Sequence, residues 1–270
     1  MPIALTVAGS DPSGGAGIQA DLRAFAACDV FGAAVIAALT VQDTTGVTSV
    51  EAVSPEQLER QLDAVLDDLP VDVAKSGLLA TAENVEVAAR RFGRPGAPRL
   101  VVDPVLASSS GTPFLDEPGR RALVRRLLPT AHLVTPNAAE AAALTGLTVR
   151  DVPSAIRAAE ALVGLGARAA LVTGGAGWPD APGRAVDVLV GPGGTTTFDG
   201  ALVPGAAPRG TGCALSAAIA AALAHGLALD VAVGRAVDAV RAAIATAPAL
   251  GRGAPMLVLE RGAPARGPAT

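Results

Sequence analysis

The chain has 270 residues, half of them hydrophobic and 17% charged, with a formal net charge of −4. That apolar content, with glycines on no three-residue period, excludes a disordered or collagen-like chain, and the length suits one large domain or two small ones. Net acidity without a basic patch argues against nucleic acid, and two cysteines build no disulfide framework, which fits a reducing, cytoplasmic compartment.

Ile3–Ala8 is an apolar run ending in the turn cluster Gly9-Ser10-Asp11-Pro12, and it reads as a buried strand. Gly14–Cys28 has helical spacing, with Ile18, Leu22 and Phe25 on one face. Ala33–Val41 and Val47–Val53 read as strands. Ser54-Pro55-Glu56-Gln57 opens a helix, with Ser54 as N-cap, Pro55 first and Gln57 completing a capping box. Val71–Lys75, Leu100–Val102, His132–Val134 and Arg168–Thr173 read as further strands. Helices are expected over Thr81–Phe92, Glu117–Leu128, Asn137–Thr145 and Val152–Leu165. Val186–Val190 and Thr195–Asp199 form a strand pair around Gly191-Pro192-Gly193-Gly194. Two alanine-rich helices, Gly210–His225 and Asp230–Ala247, follow.

Strands alternating with helices predict a mostly parallel sheet covered on both faces, an α/β fold. No linker composition interrupts residues 1–260, read as one domain, and the Pro/Gly/Ala-rich residues 261–270 read as a frayed tail. The longest apolar stretch, Cys213 to Ala224, falls short of the roughly 20 residues a bilayer requires, so no membrane partner is expected. The N-terminus has no charged n-region and soon meets Asp11 and Pro12, unlike a signal peptide.

Ligands of open α/β sheets sit beyond the carboxyl ends of the strands. Gly9–Asp11, Lys75–Gly77, Asp103–Pro104 and Thr135–Asn137 place polar residues there. Gly210-Thr211-Gly212-Cys213 leads straight into a long helix. Its glycines let a backbone approach a ligand, and the helix start offers free N–H groups and a positive dipole end to a phosphoryl group. Cys213 lies in that first turn, where a thiol pKa is expected to be lowered. On the tetrapeptide alone, the plainer reading is a Gly-rich helix start with a small buried cysteine. Asp21 reads alone as an exposed helix carboxylate. Asn137 and Glu140 suit an N-cap with a dipole-favoured acid, or an outer-shell holder of Mg²⁺ through water. Cys28 reads as packing, and His132 and His225 as capping or surface residues. Trp178 suits either a loop anchor or a cover over a nucleotide.

The segments GSDPSGGAGIQADLRAF, VQDTTGV, AKSGLLA, VVDPV, TPNAAEAAAL and GTGCALSAAIAAALAHG resemble, in order and spacing, the hydroxymethylpyrimidine/phosphomethylpyrimidine kinases of the ribokinase-like superfamily. The resemblance covers about residues 3–247. It implies a three-layer α/β/α sheet with a small β flap, ATP and Mg²⁺ as cofactors, a homodimer, and two successive phosphorylations of 4-amino-5-hydroxymethyl-2-methylpyrimidine for thiamine synthesis. Gly9, Asp21, Gln42 and Val105 match positions that grip the pyrimidine. Leu78, where methionine is common, would line the ring pocket. Gln42 suits an aminopyrimidine edge because an amide donates and accepts at once. Cys213 matches the catalytic base, and Gly210, Thr211 and Gly212 the anion hole. Asp103 and Glu140 match the metal region, with Asn137 and Lys75 beside the phosphates.

Two lysines of the family pattern are missing, replaced by Thr173 and Ser109, and the residue before the anion hole, often His, is Arg209. The C-terminal Gly-His-Gly is Gly251-Arg252-Gly253. Codon bias explains the single lysine, Lys75, among many arginines, but it does not turn Lys into Thr or Ser. Arg209 can supply charge to phosphate in place of a lost lysine. The alternatives are a paralogue with one step lost, a kinase of a pyridoxine-type vitamer, and a non-catalytic ligand-binding regulator.

Overall fold

The structure is a computed structural model and describes residues 1–108, 111–175, 177–205 and 208–261. Its strands are β1 (Ile3–Ser10), β2 (Phe31–Gln42), β3 (Val47–Ala52), β4 (Val73–Ser76), β5 (Arg99–Val102), β6 (Ala131–Val134), β7 (Ala170–Val172), β8 (Arg184–Gly191) and β9 (Gly194–Ala201). They form one sheet in the order β3-β2-β1-β4-β5-β6-β7-β8-β9. The pairs from β2 through β7 are parallel, while β2–β3, β7–β8 and β8–β9 are antiparallel.

Helices cover both faces. On one lie α2 (Pro55–Leu66), α3 (Ala82–Phe92), α4 (Glu117–Ala122), α5 (Ala138–Thr145) and α6 (Val152–Gly164), packed through Leu58, Val85, Ala141 and Leu162 against Leu5, Val35 and Leu100. On the other lie α1 (Gly17–Ala27), α7 (Thr211–Ala224) and α8 (Leu229–Ala245), packed through Phe25, Ile219 and Val237 against Ala4, Val73 and Val101. These are the expected three layers.

Local chemistry explains the element ends. Ser54 caps α2 by accepting from Gln57 N. Asn137 and Glu140 form a reciprocal capping box on α5. Helix α7 is buried on every side from Ala214 to Leu223, which is why it is apolar all round rather than striped. Its alanines let it lie close to α1, α8, β1, β4 and β5. One expected helix departs from its prediction. After α4 the chain makes a π-helical turn over Leu123–Leu127 and a 3₁₀ turn over Leu128–Thr130. Pro129 has no N–H to continue an α ladder, and the widened turn still buries Leu123 and Leu127.

The flap is the outer half of β2 with β3. Pairing of β2 to β1 ends at Leu39, and from there to Gln42 it pairs with β3 alone. No described helix is long and apolar enough to cross a membrane. The expectation of a frayed tail falls mostly on 262–270, outside the described residues.

Candidate active site

The strand ends that the sequence marks meet at one cavity of about 260 Å³. Backbone bonds step across it: Gly77 N donates to Val7 O, Asp103 N to Ser76 O, and Thr135 N to Val102 O. Asn137 and Thr173 are bridged beyond β6 and β7. The N-terminus of α7 lines the same cavity through Gly212 and Cys213.

Gly9, Gln42, Leu78 and Val105 line one part of the cavity. A Cβ on Gly9 would sit 2.9 Å from Leu78 Cδ2, so glycine and leucine shape that wall together. Asp21 does not belong with them, which corrects its assignment to the pyrimidine. It is fully buried in α1, where Oδ1 and Oδ2 accept from Lys75 Nζ at 3.0 and 2.9 Å, and Oδ2 also accepts from the Thr6 hydroxyl at 2.6 Å. Burial pushes the Asp21 carboxyl up, and Lys75 and Thr6 pull it back. An α1 residue that faces the sheet reaches the β1–β4 seam rather than the ligand.

Lys75, expected at the phosphates, lines the cavity floor with its ammonium turned to Asp21 and 3.8 Å from Asp103 Oδ2. Burial draws Lys75 down, but Asp21, Cys213 and Asp103 outweigh it and hold the ammonium above its ordinary range.

Another part of the lining is Arg209, Gly210, Gly212 and Cys213. Gly210 has φ +78°, and a Cβ there would lie 2.0 Å from Gly15 O. Only glycine lets the chain turn into α7 against the Gly15 loop. Thr211 is not a lining residue, and its hydroxyl donates to Pro208 O at 2.9 Å, fixing the entry to α7. The Arg209 backbone is pinned by bonds with Pro255 and Leu257. Its side chain is buried, pairs with no carboxylate among the described residues, and leaves Nε without a partner. A buried guanidinium facing a cavity without a counter-charge is a site for an anion.

Cys213 corrects the expectation of a lowered thiol. Burial pushes it up to about 12, Lys75 opposes this, and Asp103 and Asp21 add to it. The helix N-terminus is outweighed by desolvation, so the sulfur is a neutral thiol at neutral pH. It is bonded by Gly17 N and donates to Asp103.

Asp103 and Glu140 line the cavity with their carboxylates, as Asp11 does. Burial raises both, and each is further raised by a neighbouring carboxylate. Glu140, half-buried, is pushed up to about 8. Asp21 is the neighbour that raises Asp103, and Asp103 the one that raises Glu140; two hard oxygen donors on one cavity fit a divalent cation completed by water and phosphate oxygens. A carboxyl raised in the folded state binds more protons there than in the unfolded chain, so its contribution lowers stability as pH climbs from about 4.5 to about 8. Thermal midpoints of the ligand-free protein across that window are expected to fall with pH, and Glu140→Gln to flatten the slope.

Sequence reasoning placed Asp11 at the strand ends without giving it a role, and missed Ser216. Asp11 lines the cavity. Its signal was its place before Ser13 in the Gly-rich turn, where an Asx side chain bonds its own backbone two residues on. The Ser216 hydroxyl lies 3.2 Å from Asp103 Oδ2 and 3.0 Å from Gly212 O; its spacing three residues after Cys213 was the available clue. The other residues stand as packing or capping. Cys28 is buried. His225 Nε2 meets Cys28 O at 2.8 Å. His132 lies half-buried at the far end of the sheet, its pKa drawn down by burial and by Arg99 and Arg168. Trp178 is a buried anchor whose Nε1 donates to Val186 O at 2.8 Å. Ser109 lies outside the described residues.

A mostly parallel sheet between two helical layers, with a helix start, a buried arginine and a side-chain amide all lining one strand-end cavity, is the arrangement of a small-molecule kinase. The model of the family described as phosphomethylpyrimidine kinase matches residues 11–257. The chain is 45% identical over 222 residues to the hydroxymethylpyrimidine/phosphomethylpyrimidine kinase of Rhizobium meliloti, covering 80% of each. Among solved structures it is similar to the phosphomethylpyrimidine kinase of Clostridium difficile (34% identity, TM-score 0.77, 91% of this chain and 99% of that one). It is also similar to a pyridoxal kinase of Bacillus subtilis in complex with ADP (31%, TM-score 0.87, 97% and 98%). The chain belongs to the phosphomethylpyrimidine kinase family.

Proposed function

We propose that this chain transfers the γ-phosphoryl group of ATP to the hydroxymethyl group of 4-amino-5-hydroxymethyl-2-methylpyrimidine, and then to the monophosphate so formed, in thiamine synthesis. The observation that carries the reading is one cavity holding both the Gln42 amide and the uncompensated Arg209 beside Gly210 and Gly212. Pyridoxal kinases share the fold, so the substrate choice rests on the family match and on that amide.

In the first step the alcohol oxygen bonds to the γ-phosphorus as the bond to ADP breaks. In a loose transition state the alcohol proton leaves late, once the O–P bond has begun to form, and passes to an oxygen of the transferred phosphoryl group, so a neutral thiol that only holds the alcohol in line is sufficient. The Cys213 sulfur, its S–H engaged as a hydrogen-bond donor to Asp103, accepts a hydrogen bond from the alcohol and orients it. The free N–H groups of Gly212 and its neighbours at the start of α7, with Arg209, hold the oxygens on which charge collects. Arg209 supplies the charge missing at Thr173. Asp103 and Glu140 would hold Mg²⁺, Asn137 setting the turn that presents Glu140; the ion supplies charge neutralisation to the phosphates.

In the second step the nucleophile is an already anionic phosphate oxygen with no proton to lose. Cys213→Ala is therefore expected to cost the first phosphorylation about 100-fold in kcat through lost alignment of the alcohol and the second at least tenfold less. Equal losses in the two steps contradict the assigned role. The overall reading is tested by ADP release with the pyrimidine alcohol, its monophosphate and pyridoxal as separate acceptors. Turnover with both pyrimidines supports it, and turnover with pyridoxal alone overturns it.

A further inference from the structure

Gln42 stands at the outer end of β2, and one carboxylate governs how its amide is turned. Asp11 is buried at the end of β1. Its Oδ1 accepts from Ser13 N at 2.9 Å and from the Ser13 hydroxyl at 2.7 Å. Its Oδ2 accepts from Ala16 N at 2.8 Å and from Gln42 Nε2 at 2.9 Å. Four donors thus occupy the carboxylate, which offers acceptors only. Which end of a side-chain amide is nitrogen follows from its bonding network. Here an acceptor-only oxygen can face the amide nitrogen and not its oxygen. Flipping Gln42 would bring two acceptors together and leave a buried carboxylate oxygen a donor short.

Asp11 is itself fixed. Its backbone N donates to Gln19 Oε1 at 2.9 Å, and Gln19 Nε2 donates to the Ser10 hydroxyl at 2.8 Å. The Thr40 hydroxyl donates to Ser10 O at 3.0 Å, tying the flap strand to the same turn. The same Thr40 hydroxyl lies 3.4 Å from Gln42 Oε1, so both side chains beside the amide, Asp11 and Thr40, are held in place and keep its oxygen away from the carboxylate.

We infer that Asp11 is a positioning residue that sets the donor–acceptor order of Gln42 and thereby selects an amino over an oxo heterocycle. The inference rests on the proposed aminopyrimidine reading. With one N–H committed to Asp11, the amide presents its oxygen and its other N–H to the cavity in one order. An aminopyrimidine edge, an exocyclic donor beside a ring-nitrogen acceptor, complements that order. The 4-oxo isostere, with a carbonyl beside a ring N–H, presents the reverse pattern on the same shape and volume. Shape cannot separate the two, whereas a fixed amide separates them through unpaired acceptors and donors.

The test compares kcat/KM for 4-amino-5-hydroxymethyl-2-methylpyrimidine and its 4-oxo isostere in the wild type, Asp11→Asn and Gln42→Ala. Asparagine adds a donor and lets Gln42 take either order. The amino preference of the wild type is expected to fall by about tenfold or more in Asp11→Asn, with KM for ATP unchanged. Collapse of the preference in Gln42→Ala together with an unchanged ratio in Asp11→Asn overturns the inference alone. An unchanged ratio in Gln42→Ala overturns the aminopyrimidine reading and the inference with it. Should Asp11→Asn not fold, a through-hydrogen-bond coupling between Gln42 Nε2 and the Asp11 carboxyl carbon in the wild-type NMR spectrum supports the inference, and its absence overturns it.

Discussion

Lys75→Met is expected to lower the thermal midpoint by about 10 °C, the consequence of roughly 3–5 kcal/mol lost when a buried ion pair is halved. The ammonium is fully buried and gives two hydrogen bonds to Asp21, which is also fully buried. Without it, the Thr6 hydroxyl is the remaining donor to that carboxylate, and Asp21 must either stay charged in an apolar layer or take a proton. The companion experiment is Lys75→Met with Asp21→Leu. Replacing both charges by hydrophobic groups of similar size removes the desolvation cost along with the attraction, so the double variant should recover most of the lost midpoint. Calorimetry of the two variants checks this; a double variant no more stable than the single one contradicts the pairing. Activity should stay low in both, because Asp103 loses the cation 3.8 Å from its Oδ2.

Gly212→Ala should show the opposite pattern, an intact fold with little turnover. An added Cβ would find Asp103 Oδ2 as its nearest neighbour, at 4.0 Å, so the ligand-free protein has room for it. In the first turn of α7 the change removes glycine's conformational freedom from the unfolded chain, so the midpoint should hold or rise slightly. The methyl would occupy space at the helix start where a transferring phosphoryl group must meet backbone N–H groups. A loss of about 100-fold in kcat/KM is expected, the magnitude of removing one such donor. Wild-type turnover in Gly212→Ala contradicts the assignment of the anion to this wall. Gly210→Ala separates this effect from simple misfolding, because its Cβ would strike Gly15 O at 2.0 Å and should destabilise the protein outright.

Much of this was legible in the chain. The alternation of apolar runs with helical spacing carried the parallel sheet, and turn chemistry at Ser54 and Asn137 located helix starts to within a residue. Polar residues after successive strands marked the cavity, since strand ends on one edge of a parallel sheet must converge. What was not legible depends on distance in space. Asp21 and Lys75 are 54 residues apart, and no periodicity announces that one consumes the other. The thiol of Cys213 sits at a helix start, which favours the thiolate, and in a buried niche, which favours the thiol. Sequence shows the first and hides the second. Asp11 reads as a turn residue and is one, but its second oxygen reaches a strand 31 residues away.

The two walls of the cavity are built on supports of unequal firmness. The wall proposed to hold phosphate hangs from the start of α7, a helix enclosed on every side from Ala214 to Leu223, and should be among the last segments to exchange its amide protons. The wall proposed to take the ring is partly carried by the edge hairpin of the sheet, which runs on beyond its pairing with β1, with Leu39 and Val41 more than half exposed on it. Change in the hairpin disturbs little else, whereas change in α7 disturbs the whole layer. Selection acting on such a scaffold can retune which ring is accepted while the apparatus for moving phosphate stays as it is.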